Sequence, residues 1–143
     1  MNRSIALILA GSAFALAACG SDDEVVVTAP VVGTAPANYT VYFGFDRADL
    51  SAEGAATVAD ASGVAVASAS SVSVVGHTDT VGSVAYNQAL SEARAATVVG
   101  AMVGNGVNPA VITAAGRSEL DLAVATGDGV REPLNRRVEI GLD

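Results

Sequence analysis

At 143 residues the chain is sized for one domain, and with 51% hydrophobic but only 4% aromatic residues its core must be assembled from small aliphatic side chains. It has no Lys, and 15 acidic residues against 7 basic ones give a net charge of −8. This argues against a nucleic-acid partner, which needs clustered cations, and against a basic membrane-surface patch. A single Cys argues against an internal disulfide framework and against a cysteine-built zinc site.

The first segment reads as an address. Arg3 supplies a short positive region, and residues 5–18 form an uncharged apolar stretch. That stretch is shorter than the ~20 residues a membrane-spanning helix needs, so a signal peptide over residues 1–18 is expected. It ends in Leu16-Ala17-Ala18-Cys19, which resembles a bacterial lipobox. The resemblance implies cleavage before Cys19 and acylation of its thiol and new amino group. An ordinary secretory signal with a Cys at the boundary is the alternative. The lipobox is favoured because Cys19 is the only Cys and stands at the cleavage point. Several acyl chains anchor a protein stably where one does not. Gly20, in place of the Asp common in lipoproteins retained at the inner membrane, implies sorting to the outer membrane. Residues 20–38 then read as a tether with Pro30 and Pro36 and no lasting period. Fully extended, it reaches at most ~65 Å.

Residues 39–46 alternate, with Val41, Phe43 and Phe45 on one side, as in a half-buried strand. Asp49 or Ser51 is placed to cap a helix over residues 52–69, whose apolar face is expected from Val58, Ala59, Ala65 and Val66. Residues 72–76 form the next expected strand. Residues 84–103 are the strongest helix, Ala-rich and closed by Gly104-Asn105-Gly106. A strand follows at 111–115, then an irregular connection at 120–134 with Gly127, Gly129 and Pro133. The last strand is 137–142, with Val138, Ile140 and Leu142 on one face. The expected fold class is α+β, a β-α-β-α-β-β two-layer sandwich with a mixed four-stranded sheet and the helices on one face. The folded domain is expected over residues 39–143.

Several spaced motifs carry a family resemblance. They are Tyr42-Phe43-Gly44-Phe45-Asp46, then Gly76-His77-Thr78-Asp79 with Gly82, Tyr86-Asn87, Leu90-Ser91 and Arg94-Ala95. Gly106-Val107 and Gly116 follow, and Asn135-Arg136-Arg137-Val138-Glu139-Ile140 closes the set. In this order they resemble the OmpA C-terminal-like family, which includes the peptidoglycan-associated lipoproteins and flagellar stator proteins. The resemblance implies noncovalent binding of the diaminopimelate stem peptide of peptidoglycan. It implies that Asp79 holds the ligand's ammonium and Arg94 its carboxylate. Asn87 and Arg136 match further binding positions, and Asp49 falls where some members place a polar contact. The sequence departs from the family at Val81, where some members carry a hydroxyl. It departs again at Arg131, four residues before Asn135, where many members have Gly-Arg three residues before. The acidic-basic pair typical of the Tol-system subgroup is lacking, so no Tol partnership is implied.

The residues support that chemistry independently. The free end of diaminopimelate is a zwitterion, and a binder needs one fixed anion and one fixed cation. Asn87, Leu90, Ser91 and Arg94 share one side of the long helix, with Leu90 read as core and Arg94 at the border of buried surface. An arginine there can grip a carboxylate with two parallel hydrogen bonds. The plainer alternatives are that Asp79 closes its own turn, that Arg94 forms an ordinary salt bridge, and that Arg136 and Arg137 brace the last strand. Asp46 reads as a strand-end residue, and His77 as packing or hydrogen-bonding beneath the loop. No cofactor or metal is expected: there is one His and no accompanying ligand cluster. An enzyme acting on the wall would need a nucleophile with its base, a carboxylate pair or a metal, and none is evident. The functional expectation is therefore a non-catalytic, lipid-anchored tether between outer membrane and cell wall, its domain facing the periplasm. The alternative is a module that binds an envelope protein.

Overall fold

The computed structural model describes residues 37–68 and 71–143. The expected signal segment, Cys19 and the tether up to residue 36 lie outside the described residues. Six elements follow in chain order: β1 (Ala37–Tyr42), α1 (Ala52–Ser68), β2 (Val72–Gly76), α2 (Val84–Gly104), β3 (Ile112–Gly116) and β4 (Arg137–Leu142). The strands form one sheet in the order β1-β4-β2-β3. β4 pairs antiparallel with both β1 and β2, while β2 and β3 run parallel. A parallel pair needs a crossover rather than a hairpin, and α2 supplies it. This is the α+β architecture with a mixed sheet that the order of elements implies.

β1 differs from its expected span at both ends. Ala37 and Asn38, expected in the tether, pair with Leu142 and Gly141. The strand stops at Tyr42 because the following carbonyls are diverted: Gly44 O and Arg47 O accept hydrogen bonds from Arg94. Asp46 then turns the chain with a left-handed φ of 56°. Phe45 therefore leaves the core face that Val41 and Phe43 occupy.

Helix α1 starts at Ser51, whose Oγ accepts the Gly54 N–H at 3.0 Å. Asp49 takes no part in this cap and instead pairs with Arg47. The buried face of α1 is Gly54, Val58, Ala61, Ser62 and Ala65, at three- and four-residue spacing. Ala59 and Val66, expected on that face, are exposed. They lie roughly a third of a turn away from the Val58-Ala65 row. Gly54 lets the helix approach β1, since a Cβ there would stand 3.1 Å from Val41 Cγ1.

Helix α2 is capped by Ser83, whose Oγ accepts the Tyr86 N–H at 3.0 Å. It ends in a Schellman turn: Gly106, at φ +100°, donates to Val103 O, and Val107 donates to Met102 O at 3.0 Å. Val107 and Met102 both enter the core. A short 3₁₀ turn, Pro109–Val111, displaces the start of β3 by one residue from its expected place.

The core lies between the helices and one face of the sheet. Val41, Val72, Val74, Val138, Ile140 and Leu142 come from the strands, and Val58, Ala61, Ala65, Ala95, Val98 and Met102 from the helices. The small residues permit a close approach. A Cβ on Gly76 or on Gly116 would overlap Ser91 of α2. That contact fixes the first half of α2 against the ends of β2 and β3, and with it the side chains that build the site.

Candidate functional site

A cavity of about 220 Å³ opens where the β1 end, the turn after β2 and the first half of α2 meet. The turn contributes Asp79, Val81 and Gly82, the helix contributes Tyr86, Asn87, Leu90 and Arg94, and the β1 end contributes Phe45 and Asp46. Three of the five expected ligand residues, Asp79, Asn87 and Arg94, thus line one cavity.

Asp79 is almost fully buried. Its Oδ1 accepts the Val81 N–H at 3.2 Å, so it does close its own turn. Its Oδ2 lies 3.3 Å from Nη1 of Arg136. Arg136 also donates from Nε to Phe43 O at 3.2 Å. It stands behind Asp79, fixing the carboxylate and the end of β1, and is not a wall of the cavity.

Arg94 is wholly buried rather than at the border of the core. Its Nε donates to Arg47 O at 2.7 Å, Nη1 to His77 O at 2.9 Å and Nη2 to Gly44 O at 3.1 Å. Its guanidinium lies 5.4 Å from the Phe43 ring centroid. Three of its five N–H groups hold main-chain carbonyls, leaving two for a ligand. Burial lowers its pKa to about 10, with Asp79 opposing the shift, so it stays charged at neutral pH.

Asn87 is buried and uses its amide nitrogen to tie the site together. Nδ2 donates to Val81 O at 3.0 Å and to Glu119 Oε2 at 2.7 Å. Asp49 is exposed, binds Arg47 through both carboxylate oxygens at 2.9 and 3.0 Å, and is not brought to the cavity.

Four walls of the cavity were not expected. Asp46, read as a strand end, faces the cavity and accepts a hydrogen bond from the Tyr86 hydroxyl. That bond raises the tyrosine pKa. Leu90, read as core, is a half-buried cavity wall. Phe45 is the fourth. One signal was available: Tyr86, Leu90 and Arg94 recur at every fourth position of α2 and so share a stripe.

His77 is buried beside the site, on the opposite face of the sheet from α2. Among the described residues its ring nitrogens make no hydrogen bond of ordinary geometry, though the Asp121 main chain acts on the ring and opposes the lowering of its pKa. Glu139 Oε2 stands 4.0 Å away, beyond hydrogen-bond reach, and is engaged by Arg137 Nε at 2.7 Å. Burial lowers the His77 pKa, and Arg137 pushes it the same way. Through its main chain His77 links β4 to the site, donating to Arg137 O and accepting from Arg94. Among the described residues no group of three His, Cys, Asp or Glu side chains is placed to hold a metal.

The irregular connection after β3 folds onto the same turn. Ser118, at φ 54° and fully buried, accepts the Thr78 N–H at its carbonyl. Asn135 exchanges two hydrogen bonds with the main chain of Val124 at 2.8 and 2.9 Å. The loop that no hydrophobic period could place is held by such side-chain to main-chain bonds.

Residues 42–136 match the OmpA family. The chain belongs to the OmpA family. It is 33% identical over 148 residues to the peptidoglycan-associated lipoprotein of Haemophilus influenzae, covering 96% of this chain and 97% of that protein. It is 34% identical over 113 residues to outer membrane protein A of Bordetella avium, covering 78% of this chain. The chain spans 58% of that protein's length and a smaller share of other outer-membrane relatives. In fold it resembles the crystal structure of the peptidoglycan-associated lipoprotein from Burkholderia pseudomallei. The TM-score is 0.68 at 24% identity, over 73% of this chain and 90% of that one. The segment matching the OmpA family contains all five expected ligand residues, Asp49 included. No helix among the described residues is long and apolar enough to cross a membrane.

Proposed function

We propose that this OmpA-family protein binds the diaminopimelate stem peptide of peptidoglycan noncovalently and, through acyl chains on Cys19, tethers the outer membrane to the cell wall without catalysis. The observation that carries the binding half is the pairing of Asp79 and Arg94 across one 220 Å³ cavity. The free end of diaminopimelate presents an ammonium and a carboxylate on one carbon. The carboxylate takes the two remaining N–H groups of Arg94, and the ammonium faces Asp79 and Asp46. Leu90, Phe45 and Val81 provide apolar walls for the methylene chain. Asn87, a wall of the cavity, and Arg136, paired with Asp79 behind it, hold the turn in place for the ligand, whereas Asp49 lies outside the cavity.

The anchoring half is supported by the Leu16-Ala17-Ala18-Cys19 motif and by likeness over nearly the full chain to a relative named as a peptidoglycan-associated lipoprotein. Relatives named as outer membrane proteins agree with a place in the cell envelope.

The test is titration with a diaminopimelate-containing muropeptide, beside pull-down on purified sacculi. Binding by the wild type and its loss in Asp79→Asn support the reading. A folded wild type that binds neither sacculi nor muropeptide overturns it and favours a module for an envelope protein.

A further inference from the structure

The connection between β3 and β4 brings one more charge to the site. Its anchor is Thr80, the residue after Asp79. Gly129 N–H donates to Thr80 O at 2.8 Å, Val130 N–H donates to Thr80 Oγ1 at 3.0 Å, and that hydroxyl donates to Gly127 O at 2.6 Å. The loop is thus fastened to the turn that carries Asp79. The next residue, Arg131, lays its guanidinium over Phe45, with Cζ 3.6 Å from the ring centroid. Phe45 is itself a wall of the cavity. An exposed arginine is therefore stacked on a residue of the cavity, held there by a loop bonded to the Asp79 turn.

The charges around it make this placement informative. In a chain with 15 acidic residues and 7 basic ones, carboxylate partners are abundant. Arg47 and Arg117 face Asp49 and Asp121, while Arg136 and Arg137 face Asp79 and Glu139. Arg94 is committed to three carbonyls and the cavity. Arg131, exposed, has no ion pair among the described residues. Stacking engages the face of a guanidinium, so its N–H donors, which lie in its plane, remain available to grip a planar carboxylate.

We propose that Arg131, stacked on Phe45, forms an anion subsite at the rim that grips a second carboxylate of the ligand, distinct from the one Arg94 holds. This rests on the reading of the cavity as the seat of the diaminopimelate end. A stem peptide offers two such groups: the α-carboxylate of its γ-linked glutamyl residue and its C-terminal carboxylate. Arg131 then makes the protein sensitive to amidation of the peptide, a property the cavity alone does not confer.

The test compares three muropeptides on the full chain: one with both carboxylates free, one amidated at the glutamyl residue, one amidated at the C-terminus. Exposed ion pairs contribute little, so wild type should bind the free acid about threefold to fivefold more tightly than one of the two amides. The amide that loses affinity identifies the carboxylate. Arg131→Ala should bind the free acid with that same loss and bind the amide as wild type does. Raising the salt to about 0.5 M should shrink the difference, because the pair is exposed to screening. An arginine that only braces Phe45 would lower the affinity for all three ligands equally, and that result overturns the subsite. Equal binding of all three ligands by wild type and Arg131→Ala overturns it as well while leaving the cavity's role intact. Failure of wild type to bind any of them removes the parent reading and the subsite together.

Discussion

Removing Arg94 should damage the fold as much as the binding, and the size of the effect follows from its contacts. In Arg94→Ala the carbonyls of Gly44, Arg47 and His77 lose their donor inside a buried site. Hydrogen bonds to a charged group contribute about 1.5–3 kcal/mol each, so three give a gross figure of about 4.5–9 kcal/mol. Against this stands the unfavourable burial of the guanidinium itself, the same burial that lowers its pKa to about 10. The vacated space adjoins the cavity, so water can enter and satisfy part of what is lost. A net destabilisation of about 3–5 kcal/mol is expected, as for other buried charges stripped of a partner. For a domain whose total stability is of order 5–15 kcal/mol this is a large share. The melting temperature should fall by at least about 12 °C. Urea denaturation followed by circular dichroism measures it. Arg94→Lys, which keeps the charge but cannot reach three carbonyls, should fall between wild type and alanine. An alanine variant within about 1 kcal/mol of wild type would refute the idea that this residue ties the β1 end to β2. Binding to Arg94→Ala must be measured well below its melting point, since lost affinity and lost structure otherwise look alike.

Asp79→Asn should keep its turn, since the amide oxygen still accepts the Val81 N–H, and should lose about thirtyfold or more in muropeptide affinity, the equivalent of about 2 kcal/mol or above; titration calorimetry decides, and unchanged affinity refutes the assignment. Cys19→Ala should abolish incorporation of a labelled fatty acid, and equal labelling in variant and wild type would sink the anchor. His77, whose pKa is lowered by burial and then by Arg137, binds a proton more readily unfolded than folded. Its contribution is therefore present above about pH 6.5 and lost as the pH falls below that value, so the urea midpoint should drop between pH 7 and 5 and His77→Gln should flatten the slope; parallel slopes would count against it.

The sequence made the architecture legible because the strands alternate and the Ala-rich α2 is closed by Gly104-Asn105-Gly106. It misplaced the inner face of α1 because Ala and Val are scattered all round that helix. Apolar identity then carries little phase, and Gly54 and Ser62, unremarkable by hydrophobicity, mark the true buried row. At the site, Asp79, Asn87 and Arg94 were found through motif resemblance and fall into one cavity, whereas Asp46 and Tyr86 were not. Their pairing spans 40 residues and depends on a left-handed turn at Asp46, a position where hydrophobic period is silent. The connection over residues 120–134 was illegible for the same reason. Its order comes from Thr80 and Asn135 bonding to the main chain, and neither residue advertises a distant partner in sequence.

These bonds explain how a weakly aromatic, Ala- and Val-rich core can hold a polar cavity in shape. Arg94 joins the β1 end to β2, Arg136 joins Asp79 to the end of β1, and Asn87 joins α2 to the turn and to Glu119. Asp79 and Arg94, the two buried charges that face the cavity, are therefore already desolvated and oriented before a ligand arrives. A zwitterion entering such a site meets an anion and a cation whose positions were fixed at the cost of folding rather than of binding. The apolar walls bury only a short methylene chain, so affinity must come mainly from these two charges, while discrimination can come from groups at the rim. In the proposed binding mode Asp79 and Arg94 would decide whether a stem peptide binds, and Arg131 on Phe45 would decide which amidation state binds more tightly.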